Sequence, residues 1–404
     1  MMESTPRTYR FHPQPVDFPG SKTIVDFSLT ADQLSMQARA RKLADESLRP
    51  HACDVDLAER YPEEGLRALA QSGLCGLTVP KKYGGLAADA MTSCVVIEEL
   101  ARGCPSTAAL MLTYGGTVLS IAAFGSEEQK IKYLPGVARG TLALSFALTE
   151  LHCGSDAGAI TASATRAGDH WVMNGRKAWI GNLGRADLTV VALKTDPAAG
   201  SKGVSSFLIE KGTPGFSVGE IYSKMGARGT IHGELVFEDA RVPHAQLLGE
   251  VNRGFQQMMH SLDFVRLITA SHAIGIAQAA YEDAVKYAKQ RRSFGQALHK
   301  HQAIAFMIAD MATDLHAARM ITRHAAAQLD AGRKIPTEAA MAKLYASEAA
   351  TRITHKAMQV FGAWGVKKGS LVEQMYREAR ITEIWDGTSE IQRLVISRNI
   401  FGRS

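Results

Sequence analysis

The spacing of apolar residues changes twice along this chain, and the two changes restrict its fold more than any single motif does. Over residues 30–139 apolar side chains recur at helical intervals, as in Leu57, Tyr61, Leu66 and Leu69 and again in Val95, Val96 and Leu100. Pro80 and Gly84-Gly85 punctuate this stretch, and Gly103-Cys104-Pro105 separates two helices within it. Over residues 145–248 the pattern shortens to alternating, β-branched segments at 170–173, 188–193, 205–209 and 234–237, read as strands separated by Asn174-Gly175, residues 200–203 and Pro214-Gly215. From 254 to 400 helical spacing returns in alanine-rich amphipathic runs at 304–330 and 337–362. A period of 3.6 buries one face of a helix and a period of 2 one face of a strand, so neither pattern suits the other element. The expected class is α+β: a flexible tail (1–25), an N-terminal helical domain (26–144), a central β domain (145–249) and a C-terminal bundle of the four-helix type (250–404).

Composition narrows the function classes. A chain of 404 residues with 46% hydrophobic content buries a large core, which excludes a disordered polypeptide. No apolar stretch is read as approaching the roughly 20 residues that cross a bilayer. Residues 1–25 lack the apolar centre of a secretory signal, so a cytoplasmic location is expected, or the mitochondrial matrix in a eukaryote. That stretch holds Arg7, Arg10, four prolines and only Glu3 and Asp17 as acids, a faint likeness to a transit peptide that a plain tail explains better. The net charge of +6 suits an acidic ligand, but the basic residues are dispersed among 40 acids, so neither nucleic acid nor membrane is an expected partner. Cys53, Cys75, Cys94, Cys104 and Cys153 form no CxxC pair and are read as reduced packing residues. The histidines include no HExxH, and His299-Lys300-His301 is too short to indicate a metal.

The specific signal lies in motifs that occur in a fixed order. Ala147-Leu148-Thr149-Glu150-Leu151-His152-Cys153-Gly154-Ser155-Asp156 comes first, then Lys177-Ala178-Trp179-Ile180-Gly181-Asn182, Met225-Gly226 and Arg291-Arg292-Ser293-Phe294-Gly295. Gln359-Val360-Phe361-Gly362-Ala363-Trp364-Gly365 follows, with Glu373 and Arg377-Glu378-Ala379-Arg380, and the series ends at Ile384-Trp385-Asp386-Gly387-Thr388-Ser389-Glu390-Ile391-Gln392-Arg393. One such motif is weak; the ordered set, spanning residues 23–401, resembles the acyl-CoA dehydrogenases, FAD-dependent enzymes. The chain departs from the usual family residues at Leu151 (a common Pro), Cys153 (Gly, Ala or Ser), Gly181 (Thr or Ser), Trp385 (Tyr) and Asp386 (Glu).

The resemblance implies an acyl-CoA dehydrogenase-like fold, with a barrel-like β domain and a C-terminal four-helix bundle, and a binding site for FAD. Phe146, Leu148 and Thr149 are expected near the isoalloxazine, with Gly154 allowing close approach and Ser155 facing both flavin and pantetheine. Trp179 is expected to cover one flavin face, with Gly181 near N5. Arg291 is expected on the pyrophosphate, which an Arg fork suits, with Ser293, Phe294 and Gln302 beside it. Gln359, Gly362 and Ala363 are expected to meet the FAD of a neighbouring subunit, and Thr388 and Glu390 complete the cofactor set. Asp263, Arg266, Trp385 and Gly387 join Ser155 as substrate contacts. The implied partners are an acyl-CoA, further subunits in a homotetramer built as a dimer of dimers, and electron-transfer flavoprotein as electron acceptor.

Asp386 stands at the position of the family's catalytic base, which takes the proton alpha to the thioester carbonyl as the beta hydride leaves to flavin. Asp reaches one methylene less far than Glu, and a proton abstractor has to lie within about 3 Å of its proton. Some relatives place the base in the helix that begins near Leu262, but Val265 stands there. Trp385 adds bulk beside Asp386 and favours a short, branched or cyclic acyl group. The expected reaction is alpha,beta-desaturation of an acyl-CoA. The changes leave open an acyl-CoA or nitroalkane oxidase, a 1,4-dehydrogenase of alicyclic acyl-CoAs with Asp89 as base, and a silent acyl-CoA-binding flavoprotein. For Asp89 the better reading is a helix N-cap.

Overall fold

The structure, a computed structural model, describes residues 28–402, so the tail expected at 1–25 lies outside the described residues. Helix α1 (Ala31–Leu43) continues through one π-turn into α2 (Arg49–Leu57), followed by α3 (Glu63–Gln71), α4 (Ala90–Gly103), α5 (Pro105–Phe124) and α6 (Glu127–Ala138). Their starts follow local chemistry. Thr30 with Gln33, and Ser126 with Gln129, form capping boxes on α1 and α6. Cys104 separates α4 from α5, with Pro105 at the first helical position where its missing N–H costs nothing. One expectation is overturned here: α5 is 20 residues long with a mean hydropathy of 1.5, enough to cross a membrane by length and composition. Small and hydroxylated residues interrupt its apolar run and hid it in the sequence, and 72% of that span is buried within the protein.

Strands β1 (Leu144–Ala147), β2 (Ser163–Ala167), β3 (His170–Gly181), β4 (Leu188–Lys194), β5 (Val204–Glu210), β6 (Phe216–Tyr222), β7 (His232–Pro243) and β8 (Leu247–Leu248) form one sheet. Its order is β6-β7-β3-β2-β4-β5-β8, with β1 parallel to β4, and β2 meets β4 only at Ser163 and Lys194. The sheet bends around an apolar cluster containing Trp171, Met173, Val191, Phe207, Leu235 and Phe237. Alternate residues of β4 and β5, including Leu188, Val190 and Leu208, belong instead to the helical core. β4 is therefore buried on both faces, as its unbroken apolar run requires. Asn174-Gly175 is not a turn but an irregularity inside the continuous strand β3. Gly175 adopts φ 126 where a Cβ would lie 2.6 Å from that of Ala162, and Asn174 exchanges two hydrogen bonds with Asp239 across the sheet.

The long helix α7 (Gly254–Gln290) leads to a small hairpin of β9 (Arg292–Ser293) and β10 (Gln296–Ala297), then α8 (Gln302–Asp330), α9 (Pro336–Phe361), α10 (Leu371–Thr382) and α11 (Ser389–Phe401). The two helical units share one core, because α7 lies directly on α4 and α5. A Cβ at Gly275 of α7 would stand 2.2 Å from the Glu98 carbonyl oxygen of α4, so the backbones can approach this closely only at glycine.

Three of the sequence motifs meet at a junction of all three units. Arg377 of α10 donates to both carboxylate oxygens of buried Asp56 in α2, to Glu373 one turn earlier and, at 2.8 Å, to the Met225 carbonyl. A Cβ at Gly226 would lie 2.5 Å from the Arg377 carbonyl oxygen, which accounts for the Met225-Gly226 motif by packing. Beside it Glu378 is fully enclosed, and burial raises its carboxyl to about 7. Removing one partner of such a pair leaves a buried charge, so Arg377→Met is expected to destabilise the fold by about 3–5 kcal/mol. Combining it with Asp56→Asn should cost less than the two changes added together. Denaturant titration of both single variants and the double variant measures this, and strict additivity would show the pair to be uncoupled.

Candidate functional site

Asp386 lies in the connection between α10 and α11, where Asp386 (φ 54) and Gly387 (φ 93) are both left-handed. A side chain at 387 would be strained by that φ, and its Cβ would also press on Gln392 Nε2 at 2.8 Å. The loop is held by its carbonyls: Gly387 O accepts from Lys343 Nζ of α9 and from Gln392 Nε2 of α11, each at 2.8 Å. The Asp386 carboxylate accepts from the Thr269 hydroxyl of α7 at 2.8 Å, while its own N–H donates to no group among the described residues. The residue as a whole is half-buried, and enclosure of its carboxylate raises its pKa above the usual aspartate value, opposed by the Thr269 bond, then by Lys343 and Arg266. Burial likewise brings Lys343, which is fully enclosed, down to about 8.

Expected substrate residues surround this loop. Arg266 is buried and donates to Asp263 at 2.8 Å, one helical turn before Thr269. Val265, at the other possible base position, is packed against α5, where a Cβ on Gly116 would meet it at 2.8 Å. Trp385 sits edge-on to His272, with ring centroids 5.4 Å apart. His272 is wholly buried and neutral, donating from Nε2 to the Pro105 carbonyl, and among the described residues neither its Nδ1 nor Trp385 Nε1 has a hydrogen-bond partner. Thr388 and Glu390 have local roles: Thr388 caps α11 by accepting from Ile391 N–H, and Glu390 lies in that helix's first turn. Asp89 is an exposed N-cap of α4, accepting from Thr92 N–H at 2.6 Å, and not part of this group.

The expected flavin residues gather at one edge of the β unit. Buried Lys177 pairs with Glu150 at 2.6 Å and donates to the Leu148 carbonyl, and Glu150 also accepts from the amides of Thr161 and Ala162. Burial pushes Glu150 up and Lys177 down, but the pairing and the amides leave Glu150 below its ordinary value. This pair fixes the loop from Leu148 to Ser155 against β3, where Ala178 N–H also donates to the Thr149 carbonyl and Ser145 Oγ to the Gly181 carbonyl. Phe146 on β1 is half-buried beside this loop, and Gly154 and Ser155 are exposed on it. Nothing among the described residues needs Gly154 to be glycine, because a Cβ there would meet only Thr149 among them, at 3.9 Å. A bulge after Lys177 puts Trp179 at φ 59 and leaves it 57% exposed, with its ring beside Tyr222. A strained, exposed tryptophan beside an exposed loop fits a flat aromatic cofactor. Glu150, His152 and Cys153 also bring potential metal-ligand atoms within 4.8 Å of one another, but Glu150 is already committed to Lys177 and the amides.

Contacts connect these two groups. Gly229 N–H, just before β7, donates to Ser106 Oγ, and the adjacent Pro105 carbonyl accepts from His272, which carries Trp385. The third expected set lies elsewhere. Arg291, Phe294 and Gln302 around the hairpin, and Gln359, Gly362 and Ala363 at the end of α9, are all exposed, and Ser293 is half-buried. The stack of Tyr287 on Phe361 at 4.2 Å joins the two helix ends that carry them. More than 20 residues of α7 separate Thr269 from Arg291, roughly 30 Å of helix. No side chain among the described residues pairs with Arg291, and Phe294 is 94% exposed. Sequence reasoning missed Thr269, Lys343 and Gln392, since nothing in a linear motif says which side chains three other helices bring to Asp386.

Comparison with known proteins gives the family. Family models of the acyl-CoA dehydrogenase N-terminal, middle and C-terminal domains match residues 30–141, 145–240 and 252–401. The short-chain specific acyl-CoA dehydrogenase of Clostridium acetobutylicum is 41% identical over 378 residues, covering 93% of this chain and 100% of that protein. Butyryl-CoA dehydrogenase from Megasphaera elsdenii superposes with a TM-score of 0.90 at 37% identity, over 93% of this chain and 100% of that one. PigA, solved with FAD and proline, superposes with a TM-score of 0.90 at 29% identity, over 94% of this chain and 100% of its own. The chain belongs to the acyl-CoA dehydrogenase family.

Proposed function

We propose that this protein is an FAD-dependent acyl-CoA dehydrogenase that desaturates the alpha,beta bond of a short, branched or cyclic acyl-CoA, with Asp386 as the base. The observation that carries this reading is the state of Asp386, a carboxylate held on one oxygen by Thr269 in a residue whose own N–H has no partner among the described residues. An acceptor for the alpha proton and a donor for the thioester oxygen then come from a single residue. A donor aimed at developing negative charge on that oxygen is what lets a carboxylate remove a carbon-bound proton at neutral pH. FAD, when bound, supplies the hydride acceptor. Thr149, Ser155, Trp179 and Gly181 would hold its ring system, and the exposed Arg291, Gln359 and Gly362 would serve the cofactor of a neighbouring subunit. The roughly 30 Å between the two sets along α7 favours such sharing. The family's dimer-of-dimers assembly would provide it. Electron-transfer flavoprotein is the proposed acceptor, with oxygen the other candidate because Gly181 lacks a hydroxyl.

Anaerobic mixing of the purified flavoprotein with a panel of acyl-CoAs, followed by oxygen, tests the reading directly. Bleaching of the flavin by short acyl-CoAs supports it, and no bleaching by any thioester overturns it. Asp386→Asn is expected to bind acyl-CoA yet lose most substrate-driven reduction; reduction at the wild-type rate would place the base elsewhere. Thr269 lowers the pKa of Asp386, so Thr269→Val should shift the acidic limb of the reduction rate to higher pH. It should also slow reduction by roughly 10- to 100-fold near that limb, the worth of a hydrogen bond to a charged group. An unmoved limb in stopped-flow profiles would make Thr269 merely structural. Arg291→Ala should release FAD on dilution while far-UV circular dichroism stays native, and full retention would refute the pyrophosphate contact.

A further inference from the structure

Gly181 and His232 are direct cross-strand partners of β3 and β7, so their side-chain positions share one face of the sheet. With no side chain at 181, the imidazole of His232 occupies that space: a Cβ on Gly181 would stand 3.1 Å from His232 Nε2 and 3.5 Å from Cε1. The ring is oriented from its other end. His232 Nδ1 lies 2.8 Å from the Thr230 carbonyl, which can only accept, so the proton is on Nδ1 and Nε2 presents a lone pair. Burial, with Lys224 second, brings the imidazole down to about 4, so it stays neutral at physiological pH. Tyr222 of β6 pairs with His232 from the far side and touches Trp179, so all four residues lie on one patch.

We infer that His232 takes the place of a side chain at position 181 and presents a hydrogen-bond acceptor to the N5 edge of the flavin, favouring its reduced form. This rests on the proposed placement of the flavin beside Trp179 and Gly181. A serine or threonine hydroxyl there could either donate or accept. The fixed imidazole can only accept. Oxidised flavin carries a lone pair at N5, which an acceptor repels, and reduced flavin carries an N–H, which it binds. The absent hydroxyl is thus replaced by a group of opposite polarity, one that draws electrons from the substrate more strongly.

The test is the flavin midpoint potential of the FAD-loaded protein, measured by dye equilibration, together with its visible spectrum. His232→Phe keeps a ring and removes the nitrogen. Gly181→Ala, at a position without positive φ, pushes the imidazole away by a contact that has to give. Both variants are expected to retain FAD and to hold a reduced-to-oxidised ratio about tenfold lower at fixed potential, ~30 mV for a two-electron couple. Trp179→Phe separates the two levels of the argument. If it alters the flavin spectrum while His232→Phe and Gly181→Ala leave the potential unchanged, the flavin is where proposed and the role of His232 is refuted. If Trp179→Phe also leaves the spectrum unchanged, the flavin does not lie on this patch, and the inference falls with that placement.

Discussion

The packing of α7 against α4 and α5 is the constraint from which the site follows. It depends on residues with almost no side chain: Gly275 where α7 meets the Glu98 carbonyl, and Gly115 and Gly116 where α5 meets Ile268, Phe264 and Val265. Close backbone approach sets the rotation of α7 about its axis, because larger residues at these points would force the helix away or turn it. Arg266, Thr269 and His272 recur every third residue and share a face. With the rotation fixed, that face meets the loop carrying Trp385 and Asp386. Small residues far from the chemistry thereby determine where the carboxylate finds its partner.

The electrostatics around Asp386 are a compromise between two failures. An unpartnered buried carboxylate would stay protonated and could not act as a base, while a tightly ion-paired one would be ionised but occupied. Here each nearby cation has another obligation: Arg266 donates to Asp263, and Lys343 to the Gly387 carbonyl. They therefore act on Asp386 through space, and among the described residues only a neutral hydroxyl hydrogen-bonds to its carboxylate. Burial still keeps its pKa above the ordinary range, which makes the carboxylate a better proton acceptor once ionised.

The sequence made the architecture legible because periodicity is a local property that tertiary context rarely reverses in long segments. The same locality produced the errors. Asn174-Gly175 has the composition of a hairpin turn, but Ala162 and Asp239, distant in sequence, hold it inside a strand. The apolar character of α5 was underestimated because Thr, Gly and Ser interrupt it, although those residues are buried with the rest. At the site, motif residues were found in three groups, yet the partners that tune them were not. Thr269, Lys343 and His232 lie outside or at the edges of the motifs and become meaningful only by contact. Some motif residues also hold the fold together: Arg377 ties three units together, and Thr388 caps a helix.

The support of the loop also explains how a shorter carboxylate can stand at position 386, the proposed place of the base. If the Asp386 side chain were itself the anchor, replacing Glu by Asp would displace the backbone. The anchors are instead the Gly387 carbonyl, clamped by Lys343 and Gln392, and the cap that Thr388 provides to α11. These contacts are made by residues one and two positions further on, the Gly387 carbonyl and the Thr388 hydroxyl, so the path of the chain at 386 does not depend on that side chain. The side chain at 386 can then be one methylene shorter while the N–H of that residue keeps its place. The shortfall falls on the carboxylate alone, and Thr269 determines where that carboxylate rests. Under the proposed reading, a substrate whose alpha carbon reaches deeper into the site, as that of a compact acyl group beside Trp385 would, compensates for the missing length.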